Sequence, residues 1–560
     1  MCGIFASVRR RKDSPVSQPL RDYLVNRGPD HIGTVQRIIR LGDQAELCLT
    51  CVATVLSLRG HGITEQPLVS QDTNSILCWN GEAWSIGGCP VYANDGAAVL
   101  GALDGAVGHE NILGVLRAVE GPFAFVYYDP RGGRIYFGRD RLGRRSLLVH
   151  DEDDFLLSSV ADPSVTGWRE VEADGVYTLD VSGLDDASSG CITMHTAERH
   201  GWLPGANEEY MSNIGLFNIA LPPEGCPALH LGSRAVQALR EHLVRSLSLR
   251  VLNVPEPPLN SGLRANTRIA ILFSGGLDCT VLARLTSELL PEDQGIDLIN
   301  VAFENPRIAA KLPEDRSPTA IYEACPDRIT GRKSFSELCD VCPRREWRFL
   351  SVNVSYAETQ SHRSQVVALM HPHNTEMDLS IAYALYFAAR GKGLAQTKPE
   401  TSDIGLYSTT ARVLLSGLGA DELFGGYVRH ATAFSRTGYP GLIEELKLDV
   451  GRLGKRNLGR DDRVMSHWGR EIRFPFLDEN LVKWAVEAPV WEKCDFAAAV
   501  PDSADGTGVV DAEKRVLRLL AQQLGLSSVA KEKKRAIQFG SRTAKMESGK
   551  VKGTHVITTT

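Results

Sequence analysis

The run Arg268–Phe273 is a short stretch dominated by apolar β-formers. It stops at Ser274-Gly275-Gly276-Leu277-Asp278, and the stretch Cys279–Leu290 then takes up helical periodicity. Such a pattern reads as a buried strand, a tight turn and a helix. A further apolar run, Leu298–Phe303, follows as the next strand. Strand–turn–helix–strand demands a crossover, and crossover units build parallel sheets covered by helices. The chain from about residue 231 is therefore expected to be α/β. It opens on the amphipathic stretch Ser233–Arg250, and residues 371–391 and 476–490 also carry helical periodicity. Pro255–Arg264 and Gln396–Tyr407 are polar and rich in breakers, and they read as loops.

Residues 1–180 follow a different rule. Glu46–Leu58, Ser75–Trp79, Phe123–Tyr128, Arg134–Gly138 and Gly175–Asp180 read as short strands divided by Gly- and Asp-rich turns such as Arg131-Gly132-Gly133. This predicts an α+β or sandwich-like domain. Periodicity is lost over 181–230, where Ser188-Ser189-Gly190 and Pro222-Pro223-Glu224-Gly225 suggest a linker. The expected division is a first domain over 1–185, a linker over 186–230 and a second domain over 231–560. A chain of 560 residues, 43% of them hydrophobic, is long enough to bury two cores.

The net charge of −6 is spread in both signs, which gives no electrostatic footprint for nucleic acid. No apolar run reaches the roughly 20 residues of a membrane span. The first residues, Met1-Cys2-Gly3-Ile4-Phe5, do not have the basic-then-apolar form of a secretory leader, so a cytoplasmic protein is expected. Twelve cysteines in so long a chain are too sparse for a disulfide scaffold. In the Cys48/Cys51 pair, strand alternation sends the two thiols to opposite faces. Buried thiols are the expected reading there and for Cys339/Cys342.

Cys2 carries the first chemistry. Removal of Met1 places its thiol beside its own α-amine, whose pKa of about 8 suits a general base. Asn80-Gly81-Glu82 offers an amide and a backbone N–H for an oxyanion hole. Taken alone it is also an ordinary hairpin turn. Glu82 and Asp95 are candidates to hold the α-ammonium of a glutamine substrate. Met1-Cys2-Gly3-Ile4, Arg27-Gly28-Pro29-Asp30, Asn80-Gly81-Glu82 and Gly138-Arg139-Asp140-Arg141-Leu142-Gly143 together resemble the class II glutamine amidotransferases. The resemblance implies a four-layer αββα domain of N-terminal nucleophile type that releases ammonia from glutamine. It also implies an arginine clamp for the glutamine carboxylate. Val55 occupies that place here, and Arg59, four residues on, is the candidate substitute.

The second chemistry sits at Ser274–Asp278. Gly275 and Gly276 let backbone N–H groups approach a phosphate, the helix start adds a positive dipole, Ser274 adds a hydroxyl and Asp278 suits Mg²⁺. The Walker lysine ending is missing, so this is not a kinase-type P-loop. Ser416-Gly417-Leu418-Gly419-Ala420-Asp421-Glu422-Leu423-Phe424-Gly425-Gly426-Tyr427 follows the strand Arg412–Leu415 and provides Asp421 as a second Mg²⁺ ligand. Acidic residues at a helix start are also favourable by themselves.

With Arg473-Phe474-Pro475-Phe476-Leu477-Asp478, these clusters resemble the asparagine synthetase domain, an ATP-pyrophosphatase fold of the adenine nucleotide alpha hydrolase type. The resemblance implies that Phe273, Ser274, Gly275, Gly276, Leu277, Asp278, Phe303, Ser416 and Gly417 bind ATP. It places Phe273 and Phe303 around the adenine and Lys534 against the charge of adenylation. Lys533 and Arg535 remain alternative cations in the basic run 531–535. Asn374 falls where the family has a glutamate, with Glu376 and Asp378 nearby, and Leu418 replaces another family glutamate.

Ala53–Gly60, Asn457–Arg463 and Gln538–Arg542 extend the likeness to a divergent branch, the asparagine synthetase domain-containing protein 1 group. The expected activity is glutamine-dependent asparagine synthesis from aspartate with ATP and Mg²⁺. The expected partners are glutamine, aspartate and ATP, with no nucleic acid and no membrane, and the class admits a homodimer. The alternatives are a ligase of the same scaffold with another acceptor, or an idle homologue that binds partners.

Overall fold

The computed structural model describes residues 2–10, 16–41, 45–60, 62–152, 154–182, 192–203, 210–211, 214–256, 267–310, 317, 319–400, 405–497, 510–546 and 552–557. The chain divides into two compact units. One comprises residues 1–207, 365–374 and 453–471, and the other 208–364, 375–452 and 472–560.

The first unit is built on two six-stranded antiparallel sheets. One runs Arg169–Glu170, Leu148–His150, Phe155–Ser158, Gly3–Arg9, Ala45–Val55 and His31–Leu41. The other runs Glu198–Gly201, Gly175–Asp180, Arg134–Arg139, Phe123–Asp129, Ile76–Gly81 and Leu68–Val69. Side-chain alternation sets the layers. Ile4, Ala6 and Val8 share a core with Ile76, Cys78, Ala124, Val126, Ile135 and Phe137 of the facing sheet. Leu77, Trp79, Phe125 and Tyr127 point the other way, onto Val99, Leu103, Ile112 and Leu116 of the helices Asp95–Gly105 and His109–Arg117. Beside the first sheet, the helix Gln18–Arg27 buries Leu20 and Leu24, and Thr54 Oγ1 donates to Leu24 O at 2.7 Å. This is the αββα sandwich.

A distant segment completes this unit. The helix Leu458–Ser466 has every residue buried. Its Asp462 accepts from Arg27 at 2.8 Å across 435 residues of sequence. Its Arg463 pairs with Glu170 at 2.5 Å. Burial alone pushes the Glu170 carboxyl up, but Arg139 and Arg463 outweigh that and hold it down at about 2. The described part of 186–230 is not featureless. Glu198–Gly201 pairs with Gly175–Asp180 in the register Val176↔His200 and Thr178↔Glu198, which adds an edge strand to the second sheet.

The second unit holds a seven-stranded sheet in the order Gly405–Ser408, Lys392–Gln396, Trp347–Val354, Gly295–Phe303, Thr267–Leu272, Val413–Leu415 and Glu471–Arg473. Four central strands are parallel, with registers Leu298↔Phe349, Ile271↔Leu298 and Ile271↔Leu415. The expected helices are Arg234–Val251, Leu277–Leu289, Glu376–Arg390 and Glu479–Glu487. Two loop expectations change. Within Gln396–Tyr407 the chain forms part of an antiparallel edge pair, Leu394↔Leu406, because backbone pairing to the sheet overrides the polar composition. Most of Pro255–Arg264 lies outside the described residues. Among the described residues no helix is long and apolar enough to cross a membrane.

Candidate active sites

Cys2 enters the strand Gly3–Arg9 and is 8% exposed. Its backbone N–H donates to Asn80 Oδ1 at 2.9 Å, and Arg27 Nε donates to its carbonyl at 3.4 Å. Gln66 Nε2 lies 3.6 Å from the thiol, while Gln66 Oε1 is held by the Trp79 N–H at 2.8 Å. Burial raises the thiol pKa, and the positive chain terminus and a backbone hydrogen bond with Leu56 work against the rise. With its Oδ1 turned to Cys2, Asn80 has an Nδ2 that is buried and has no hydrogen-bond partner among the described residues. A buried donor left over costs stability unless a ligand uses it. Gly81 follows, and a Cβ there would lie 2.2 Å from Pro122 O, so only glycine fits beside that backbone.

The expected glutamine-binding residues form a connected set. Arg59 Nη1 pairs with Glu82 Oε2 at 3.2 Å, and its fork also donates to the carbonyls of Ala83 and Val91. Its guanidinium lies 5.5 Å from the Trp84 ring centre. Asp95 Oδ2 accepts from Trp79 Nε1 and from the Ala83 N–H, each at 2.9 Å. Burial raises the Asp95 pKa, with Arg59 opposing. Arg59 thus sits among the residues that follow the strand Ile76–Gly81, while Val55 is buried in the ladder opposite His31.

In the second unit, Thr267–Leu272 and Val413–Leu415 are adjacent parallel strands, so the loops that follow them emerge side by side. Gly275 has φ +80°, and a Cβ on it would lie 2.5 Å from Gly331, which lets the turn press against the helix Pro326–Val341. A Cβ on Gly417 would lie 2.8 Å from that of Asp278. A cavity is lined by Ser274, Gly276, Leu277, Asp278, Asp421 and Lys534, among others.

One residue not singled out in the sequence organises this cavity. Lys514 Nζ is 2.8 Å and 2.9 Å from the two Asp278 oxygens and 2.9 Å from Asp421 Oδ1. Its backbone is left-handed, at φ +51°, where the helix Arg515–Gln523 begins. Non-glycine residues adopt this conformation uncommonly. Lys534 Nζ reaches Asp421 Oδ2 at 3.2 Å and lies 3.6 Å over the Tyr427 ring. Burial raises Asp278 despite Lys514, whereas Lys514 and Lys534 overcome burial and lower Asp421. The Tyr427 hydroxyl donates to Glu422 at 2.5 Å, and burial raises the Glu422 carboxyl.

The remaining expected nucleotide residues, Phe273, Phe303 and Ser416, are not among the residues that line this cavity. The Phe273 N–H donates to Ile299 O at 2.8 Å, and its carbonyl accepts from Asn300 Nδ2 at 2.9 Å. The Phe303 N–H donates to Ser541 O at 3.1 Å. The Ser416 N–H donates to Arg473 O at 3.0 Å, and Ser416 Oγ accepts from the Leu418 N–H at 3.3 Å. Of the alternative cations, Arg535 faces Asp327 at 3.9 Å, and Lys533 lines the cavity.

Two carboxylates that share one ammonium can share a divalent cation instead. The cationic side chains and turn N–H groups around them suit the phosphates such an ion would accompany. The Asn374 neighbours are committed to structure. Glu376 lies 3.6 Å from Arg363, and Asp378 is tied to Thr375 in the cap of its helix.

Two domain families match the chain. A glutamine amidotransferase domain family matches residues 1–171, and the asparagine synthase family matches residues 405–444 and 437–554. Asparagine synthetase domain-containing protein 1 of Bos taurus is 34% identical over 99% of this chain and 97% of its own length. An asparagine synthetase domain-containing protein of Saccharomyces cerevisiae is 31% identical over 99% of this chain and 94% of its own length. Asparagine synthetase [glutamine-hydrolyzing] 1 of Arabidopsis thaliana is 23% identical, over 87% of this chain and 70% of that one.

Proposed function

The chain belongs to the asparagine synthetase domain-containing protein 1 family, and from that premise we propose that it is an ATP-dependent carbon–nitrogen ligase that takes its nitrogen from glutamine and makes asparagine from aspartate. The observation that carries the reading is the division of labour at Asn80. One end of its amide holds the Cys2 nitrogen, and the other is a buried donor with no partner among the described residues.

With Met1 removed, the Cys2 α-amine takes the thiol proton, and sulfur attacks the glutamine carboxamide carbon. The oxyanion forms against Asn80 Nδ2 and the Gly81 N–H. Collapse expels ammonia, which carries away the proton, and water then releases glutamate from the thioester. Asp95 braces the turn through Ala83. Arg59 and Glu82 exchange part of their mutual pairing for the carboxylate and ammonium of glutamine.

In the second unit, the Ser274–Gly276 turn, Lys514 and Lys534 hold the ATP phosphates. Asp278 and Asp421 would hold Mg²⁺, which screens phosphate charge. The aspartate side-chain carboxylate attacks the α-phosphorus, and pyrophosphate leaves. Ammonia then displaces AMP from the acyl-adenylate to give asparagine. The commitment of Asp378 to its helix cap and of Glu376 to Arg363 favours a second reading, in which the same adenylation serves another carboxylate acceptor.

The test supplies purified protein with Mg-ATP, aspartate and either glutamine or ammonium, and follows asparagine and pyrophosphate together. Asparagine from both nitrogen sources, with Cys2→Ala keeping only the ammonium reaction, is expected. Pyrophosphate release with a different acid, and none with aspartate, selects the second reading. An absence of both activities removes the ligase reading.

A further inference from the structure

Within the first unit, and apart from the cysteine site, three side chains converge with no assigned purpose. Glu198 and His200 are alternate residues of the edge strand Glu198–Gly201, so they lie on one face of it. His109 is the first residue of the helix His109–Arg117. The candidate ligand atoms of all three lie within 4.8 Å of one another. The two imidazole rings are 4.7 Å apart.

The geometry points to a binding site for a zinc-class divalent transition-metal ion at His109, Glu198 and His200. Two observations support it. His200 Nε2 is buried with no hydrogen-bond partner among the described residues, although the Glu198 carboxylate stands only 3.7 Å away. That distance is too long for a hydrogen bond and short enough for both groups to share an ion. Second, the Tyr136 hydroxyl engages His109 Nδ1 at 3.0 Å. When Nδ1 donates to the phenol oxygen, the Nε2 lone pair is free, as in the outer-sphere support common for metal-bound histidines.

Two imidazoles and one carboxylate exclude an all-oxygen preference such as that of Mg²⁺, and they leave a coordination position open. Bonds of about 2.0–2.2 Å need only a small inward movement. The Glu198 side chain, 75% exposed, is free to make it. Ion binding would fasten the edge strand to the start of the helix.

The test titrates the full chain with Zn²⁺ by calorimetry and with Co²⁺ by absorption. One tight equivalent is expected, with a cobalt spectrum that has no thiolate charge-transfer band. His200→Gln and His109→Gln are expected to weaken the site by more than about 100-fold, and Tyr136→Phe by about 10-fold. Zn²⁺ should raise the melting temperature of the wild type and not that of Glu198→Gln, a surface change that preserves the fold. A thiolate band, undiminished binding in Glu198→Gln and His200→Gln, or no tight equivalent at all overturns the proposal.

Discussion

Nζ of Lys514 lies 2.8 Å from Oδ1 of Asp278, although 236 residues separate the two in sequence. The same ammonium holds Asp421 at 2.9 Å. Two partly buried carboxylates repel one another, and here one cation lets them converge on the glycine turn.

Lys514→Met leaves Asp278 and Asp421 facing each other without their shared counter-charge. Breaking such a buried pair costs about 3 kcal/mol, the lower end for an uncompensated buried charge. Urea denaturation should show that loss, and ATP-dependent pyrophosphate release should fall with it. Adding Asp278→Asn should recover part of the stability but none of the activity. A Lys514→Met protein within about 0.5 kcal/mol of wild type would mean that the bridge is structurally idle.

Asn80→Ala removes both the anchor of the Cys2 nitrogen and the sealed Nδ2 donor. Glutamate release should drop by about 10²–10³ in kcat, while ammonium-dependent turnover stays at the wild-type level. A change confined to the KM for glutamine would move Asn80 from oxyanion stabilisation to substrate binding.

Asp327, beside the same cavity, carries the pH dependence. Burial raises its carboxyl from the ordinary 3.8 to about 7, with only Arg535 opposing. The folded state therefore binds this proton more tightly than the unfolded chain does. Its contribution is fully present below the unfolded value and is lost as pH rises through about 7. Asp327→Asn should flatten the stability curve across that window and leave the variant more stable than wild type above it. Denaturation midpoints measured at a series of pH values decide this, and parallel wild-type and variant curves would refute it.

Asp462 pairs with Arg27 at 2.8 Å and with Arg145 at 3.6 Å, all three side chains being at most 1% exposed. Asp462→Ala removes the carboxylate shared by two buried guanidinium groups, of which Arg145 keeps Glu471 at 3.4 Å and Arg27 keeps Ser466, and should cost about 3 kcal/mol. Because Arg27 also donates to the Cys2 carbonyl, glutamine hydrolysis should weaken with it. A fragment ending before residue 453 has no Asp462 and is expected to be unstable by thermal melting. A stable, glutaminase-active fragment would contradict this account.

Local chemistry was the legible part. Cys2 leads into the strand Gly3–Arg9, Asn80-Gly81 closes the strand Ile76–Gly81, and Ser274–Gly276 joins a strand to a helix, and each local form is encoded in the residues around it. Arg59, Glu82 and Asp95 were legible as polar candidates, but their mutual pairing was not. Gln66, 3.6 Å from the thiol, carries no motif and is aimed by a hydrogen bond from a different strand. Lys514 gave no signal either, since its place depends on two carboxylates from the first turns of two other helices.

The sequence by itself determined two things: a strand-rich first half with Cys2 at the entry of its first strand, and a parallel α/β second half in which a Gly-Gly segment joins a strand to a helix. Both follow from hydrophobic period and from glycine placement, which act over a few residues. Only the tertiary structure decided that residues 453–471 complete the first unit, that Glu198–Gly201 extends its sheet and brings His200 to His109, and that Lys514 joins Asp278 to Asp421. Those outcomes depend on pairing buried charges and sheet edges that lie far apart in the chain. No local pattern records which distant partner will satisfy a buried arginine, lysine or open strand.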